Sequence, residues 1–237
     1  MLAAEPLVCA ELFGTANAGF DSAGDAAGEE RVAAEYERVY DIPERRAEIE
    51  WLKEKLPRLL SGHDVLEIAC GTGYWTQPIS LQANSILATD VNDEVLEIAR
   101  AKAYGRGNVR FLRADAADLS RLEGSFTAAF AGFFWSHVRK SALRPFLLGL
   151  HAKIGPGRLV VFLDNTLAGT RHPITRIDAE GNTYQTRKLE DGSEWEVLKN
   201  IPGEADLRAT LQGIAGDIEV ATLQYYWLLT YRTPSSP

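Results

Sequence analysis

Val65-Leu66-Glu67-Ile68-Ala69-Cys70-Gly71-Thr72-Gly73-Tyr74 is an apolar run carrying one carboxylate that breaks into Gly-Thr-Gly. A continuous apolar run bounded by glycines reads as a buried parallel strand entering a tight turn. The helix-compatible residues that follow place a helix N-terminus beyond that turn. Glycine allows the sharp turn and lets a ligand approach where a Cβ would block it. This is the build of a nucleotide-type site at the carboxyl end of a strand in an open α/β sheet.

Outward from this stretch, strands and helices alternate. Strands are predicted at Val65–Ala69, Ser85–Asp90, Val109–Arg113, Phe126–Gly132 and Arg158–Asp164. Between them the spacing predicts helices at Tyr74–Leu81, Asp93–Tyr104 (with Asn92 as N-cap) and Lys140–Lys153. Upstream, Ile49, Leu52, Leu56, Leu59 and Leu60 mark a helix over 44–60, ended by Ser61-Gly62. Such alternation implies parallel strands with crossover helices on both faces. After residue 164 the pattern changes. Tyr184–Leu189 and Ser193–Lys199, joined by Glu190-Asp191-Gly192, read as an inserted hairpin. A helix at Glu204–Gln212 follows, then an antiparallel pair, Ile218–Leu223 and Tyr225–Arg232. The expected fold is a Rossmann-like doubly wound α/β sheet, mostly parallel, with an antiparallel final strand and a β-hairpin insertion after strand five. The Ala/Gly-rich residues 1–30 are expected to be a mobile extension, leaving 31–237 as a single domain.

The formal net charge of −8 argues against a nucleic-acid partner, which needs clustered Lys and Arg. Two cysteines, Cys9 and Cys70, lack metal-ligand spacing, so no metal is expected and a reducing cytoplasm is the better setting. No apolar run approaches a membrane span, and the N-terminus, with Glu5 and Glu11, does not read as a signal peptide. Oligomeric state is open at this stage.

The glycine pattern by itself admits several ligands. Thr76 stands where a dinucleotide site wants its third glycine. Asp90, ending strand two, can accept from both ribose hydroxyls. Asp115, followed by small residues after strand three, can accept from an adenine amino group while the Ala116 N–H donates to a ring nitrogen. Three successive strand ends would then line one adenosine with no pyrophosphate.

With these residues in place, the sequence resembles the class I S-adenosylmethionine-dependent methyltransferases. The landmarks are Val65–Gly73, Asp90, Ala114-Asp115-Ala116, the strand-four exit Phe133–Val138, and Gly155-Pro156-Gly157-Arg158-Leu159. They fall in the family's order and spacing over about residues 36–165, most like bacterial enzymes acting on small molecules. The Asn/Asp-Pro-Pro-aromatic signature of many nucleic-acid-methylating relatives is missing; strand four exits through Gly132-Phe133-Phe134-Trp135.

The resemblance implies roles. Gly71 and Gly73 would make room for the methionyl part of S-adenosylmethionine, with Glu67 and the Ala69 carbonyl near its ammonium group. Asp90 would hold the ribose, Val91 or Asn92 would lie against the adenine, and Asp115 and Ala116 would read the adenine edge. Tyr36 and Tyr40 look like the aromatic residues that close over the cofactor, and are equally readable as core staples. Phe133, Phe134 and Trp135 are candidates for an aromatic wall beside the sulfonium. Cys70 reads as a packing residue.

Methyl transfer from a sulfonium is an in-line displacement, so the protein mainly supplies alignment and a dry site. Where the acceptor must lose a proton, His137 is the candidate base, its alternative being a packing role. Asn165, His172 and Arg176, with Trp135, are candidate substrate contacts, and the 165–200 insertion a substrate lid or an edge-covering decoration. The expected product is S-adenosylhomocysteine. Two rival readings are an NAD(P)-dependent oxidoreductase and a non-catalytic S-adenosylmethionine-binding partner subunit.

Overall fold

The computed structural model describes Glu37, residues 40–188 and residues 194–235. The expected extension over 1–30, Tyr36 and the Glu190-Asp191-Gly192 turn lie outside these residues. The fold is a Rossmann-like, mostly parallel seven-stranded sheet with an antiparallel final strand, beside a separate three-stranded antiparallel sheet. The chain gathers into two compact units, one ending at Asp115 and the other starting at Ala116.

In the first unit, helix α1 (Arg46–Leu59) buries Ile49, Leu52 and Leu56, one stripe at helical spacing. Each such side chain removed from water contributes about 1.5–3 kcal/mol. Strand β1 (Asp64–Ile68) follows, then α2 (Thr76–Ser80), β2 (Ser85–Asp90), α3 (Asp93–Ala101) and β3 (Val109–Arg113). Strands β1 and β2 run parallel with Val65 opposite Ile86 and Glu67 opposite Ala88. Their residues are buried on both faces, as expected of covered parallel strands, whereas the edge strand β3 exposes Arg110, Leu112 and Arg113.

Two helices are shorter than their sequence signals. Helix α2 begins at Thr76 because Gly73, at φ +77°, closes a turn onto Cys70 O and consumes Tyr74. Helix α3 stops at Ala101 because Lys102 turns extended (ψ 150°); the freed Ala99 carbonyl accepts the Lys102 amide and the Tyr104 hydroxyl. Asn92 caps that helix as expected, accepting from the Glu94 amide at 2.8 Å.

In the second unit, β4 (Ala128–Gly132) runs parallel to β5 (Leu159–Asn165) across helix α4 (Lys140–Ile154). The Gly155 turn, φ +87°, stops α4. Strands β6 (Arg176–Ile177), β7 (Thr183–Lys188) and β8 (Glu194–Leu198) make the small sheet. The hairpin was legible; the two-residue β6 was too short to read. Helix α5 (Glu204–Leu211) leads to β9 (Gly216–Thr222) and β10 (Tyr226–Arg232). Strand β10 pairs antiparallel with both β9 and β5, setting Trp227 opposite Asp164.

Candidate functional site

The first unit assembles most of the expected cofactor residues at the ends of β1 and β2. Ala69 leaves β1 at φ +52°, a conformation that costs a residue with a Cβ and collects at functional turns. Gly71 follows at φ +54°. Its amide donates to Asp90 Oδ2 at 2.9 Å, and the Asn92 amide donates to Asp90 Oδ1 at 3.0 Å. The Cys70 amide donates to Thr89 O at 2.9 Å, so the glycine turn is fastened to the β2 end at two points.

Glu67 is 2% exposed, and its Oε2 completes no hydrogen bond among the described residues. Thr76 Oγ1 lies near enough to favour the ionised form slightly, yet it too is left without a bond. Burial, with Asp90 as a neighbouring like charge, pushes the Glu67 carboxyl up to about 8. A buried carboxyl with an orphaned oxygen is unfavourable alone and favourable beside a cation. The donor set therefore fits a ligand carrying an ammonium group next to a ribose, as S-adenosylmethionine does.

Gly73 also has a packing task. A Cβ there would stand 2.5 Å from Tyr104 Oη and 3.3 Å from Ala99 Cβ. The missing side chain accommodates Tyr104 and α3, so Gly73 serves internal packing, while its left-handed φ serves the turn. Tyr40 stacks on Tyr74, with ring centroids 3.9 Å apart, and both meet Trp75 edge-on. The preceding chain is tied down again at Glu37, which accepts from Thr72 Oγ1 at 2.7 Å and pairs with Lys102. Nothing in the sequence marked Glu37, because its partners lie 35 and 65 residues away. Val91 and Asn92 are half-buried, and Asp115 is exposed.

The second unit carries Ala116 at its start, Phe133, and a buried polar cluster. Phe133 leaves β4 at φ +57°, its amide donating to Leu163 O. Trp135 is 3% exposed and packs edge-on against Phe162 and Trp227, a core position. Asp164 is fully buried. Its Oδ2 accepts from the Ser136 amide at 2.9 Å, its Oδ1 from the Asn165 amide at 2.7 Å and from Lys199 Nζ at 3.1 Å. Lys199 also donates to Ser136 Oγ at 2.7 Å and stands 3.4 Å from His137 Nε2. Lys199 and Ser136 were missed by the sequence reading. Lysine after a hairpin reads as surface charge, and only the fold brings it to the β5 end.

The root of the insertion is fastened to the strand-four exit. The Asn200 amide donates to Ser136 O and its side chain to Val138 O, while Asn182 Oδ1 accepts from the Lys140 amide. His172 is exposed, its carbonyl accepting from Gln185. Arg176 grips Glu196 through Nε and Nη2 at 2.8–3.1 Å and lies over the Tyr184 ring. That grip clamps β6 to β8.

Residues 65–157 match the family described as "Methyltransferase domain". A ubiquinone/menaquinone biosynthesis C-methyltransferase, UbiE, of Azotobacter vinelandii is 34% identical over 214 residues, covering 79% of this chain and 83% of its own length. A demethylmenaquinone methyltransferase of Lactococcus lactis is 28% identical over 109 residues, and this chain spans only 43% of its length. Among solved structures, the DhpI–SAH complex superposes with a TM-score of 0.68 at 25% identity, covering 88% of this chain and 95% of DhpI. The DhpI–SAM–HEP complex gives 0.66 at 26% identity, over 87% and 94%.

Proposed function

The chain belongs to the class I S-adenosylmethionine-dependent methyltransferases, and from that premise we propose that it methylates a small-molecule acceptor by direct in-line displacement, releasing S-adenosylhomocysteine. The observation that carries this reading is the hydrogen bond from the Gly71 amide to Asp90 Oδ2, which makes the glycine turn and the ribose carboxylate one unit.

When bound, the cofactor supplies a methyl group already activated on a sulfonium. The residues of the first unit bind and orient it. Asp90 would accept from the ribose hydroxyls, Val91 and Asn92 would border the adenine, and Asp115 would meet its edge. The Ala69 carbonyl and Glu67 would hold the ammonium, beside which the ionised Glu67 carboxyl would be favoured. Gly71 keeps the approach open, and Tyr40, with Tyr74, walls it from water. Holding the reactants in line can account for several kcal/mol of the barrier. In the second unit, His137 and Asn165 border the Lys199–Asp164 pair and are proposed to face the acceptor. Arg176 is proposed to hold the insertion together, its charge being engaged by Glu196.

The acceptor is proposed to be a small molecule and not a nucleic acid, in keeping with the net charge of −8. Among the described residues, no helix is long and apolar enough to cross a membrane; a cytoplasmic setting is proposed from the sparse cysteines. Calorimetry with S-adenosylmethionine, S-adenosylhomocysteine and NADH tests the cofactor, and a methyl-transfer screen across quinol, phenol and amine acceptors tests the reaction. Binding of the first two without NADH is expected. Binding of NADH alone would favour an oxidoreductase. Cofactor binding with no transfer to any acceptor would favour a non-catalytic subunit.

A further inference from the structure

We propose that Lys199 is a positioning residue that locks His137 in the neutral Nδ1–H tautomer, with Nε2 as a hydrogen-bond acceptor. Lys199 Nζ is buried, and its neighbours include Asp164 Oδ1 at 3.1 Å, Ser136 Oγ at 2.7 Å and His137 Nε2 at 3.4 Å. Asp164 accepts three N–H donors, from Ser136, Asn165 and Lys199, which is the pattern of a carboxylate. The pair is thus ionic, and an ammonium has no lone pair to accept with. His137 Nε2 must then present its own lone pair, which an imidazolium and the Nε2–H tautomer both lack. Unconstrained neutral imidazole favours the opposite tautomer, so the cluster works against the default.

The geometry is fixed from both sides. Ser136 and His137 sit in one short turn, Trp135–His137, whose Ser136 amide is held by Asp164. Lys199 is held by its own amide on Thr183 O, and the adjoining Asn200 amide donates to Ser136 O at 2.7 Å. The insertion therefore delivers the ammonium in register with the histidine.

This inference rests on the methyltransferase reading for its significance, because it changes the task of His137. With Nε2 engaged by an ammonium, that nitrogen is not the atom that takes a proton from an acceptor. The expected base role of His137 gives way to an imidazole that donates through Nδ1–H.

The test is 15N NMR of the histidine rings in the full chain at pH 7, with His137→Gln identifying the His137 signals among the four histidines. Wild type is expected to show a bare, pyridine-type Nε2 and a protonated Nδ1. Lys199→Met is expected to release the ring to the Nε2–H tautomer, and Lys199→Arg, which keeps a cationic donor, to restore the wild-type pattern. A wild-type Nε2–H or an imidazolium would overturn the proposal, as would an unchanged tautomer in Lys199→Met. Should Lys199→Met not fold, the wild-type spectrum still decides, through the Nε2 signal and its proximity to slowly exchanging Lys199 ammonium protons. Titrating S-adenosylhomocysteine into the same sample reports separately on the function. Binding with the wrong tautomer sinks only the role of Lys199; the right tautomer without binding sinks the methyltransferase reading.

Discussion

The Gly71 amide and the Asp90 carboxylate are 2.9 Å apart, so the turn after β1 is held by the residue that ends β2. One carboxylate thereby shapes the turn and is proposed to hold the ribose. Two substitutions separate those tasks. Asp90→Asn keeps an acceptor oxygen for one backbone amide and removes the charge. Asp90→Ala removes both. S-adenosylhomocysteine affinity measured by calorimetry is expected to fall at least ten-fold in Asp90→Ala, the scale of one charge-assisted hydrogen bond at about 1.5–3 kcal/mol. Asp90→Asn should fall between wild type and Asp90→Ala. Unchanged affinity in Asp90→Ala would remove the ribose role.

Glu67 makes binding and stability depend on pH in a defined direction. Its carboxyl is raised from 4.5 to about 8 in the ligand-free fold. Between those values the native state holds a proton that the unfolded chain has lost. Stability from this group is therefore full below about pH 4.5 and is lost as pH rises through about 8. Glu67→Gln should flatten that decline in urea melts recorded from pH 5 to 9. Cofactor binding should release up to about one proton at pH 7, because the ammonium favours the ionised carboxyl. Calorimetric enthalpies in phosphate and Tris should then differ by the buffers' ionisation heats. Equal enthalpies would show that no cation meets Glu67.

The sequence placed the strand ends correctly because apolar runs, glycines and carboxylates are local signals. Asp90, Gly71 and the Asn92 cap could all be named from their neighbours in the chain. What stayed hidden was long-range. Glu37 finds Thr72 and Lys102, and Lys199 finds Ser136 and Asp164, only after folding. A charged residue is legible as exposed by default, since burial needs a partner that periodicity cannot supply. Gly73 was legible as a glycine requirement, but not as one set by Tyr104, thirty-one positions downstream in the sequence. Trp135 was taken from the strand-four exit as a substrate contact, and its ring turned out to fill the core between Phe162 and Trp227.

Gly73→Ala tests that packing directly. The substitution forces a Cβ to φ +77° and to within 2.5 Å of Tyr104 Oη. The backbone strain alone is about 1–2 kcal/mol, and the clash adds to it. Chemical denaturation should show Gly73→Ala as clearly destabilised. Tyr104→Phe removes the hydroxyl together with its bond to Ala99 O, so the loss caused by Gly73→Ala should be smaller in the Tyr104→Phe background than in wild type, by the steric part. An equal loss in both backgrounds would mean that the hydroxyl contact does not set the requirement.

Asp164 and Lys199 form an ion pair with side chains 0% and 5% exposed, so breaking it differs from replacing it. Removing one partner strands a buried charge, a loss of about 3–5 kcal/mol in comparable pairs. Asp164→Asn and Lys199→Met should each be destabilised on that scale, Asp164→Asn more, because it also weakens the Ser136 and Asn165 amide bonds. The double variant Asp164→Asn/Lys199→Met buries no net charge. Its loss should be well below the sum of the singles, giving a positive coupling in a double-mutant cycle read from urea unfolding. Additive losses would mean that the two groups do not share a dry environment, and that the insertion is held by Asn200 and Asn182 at the strand-four exit instead.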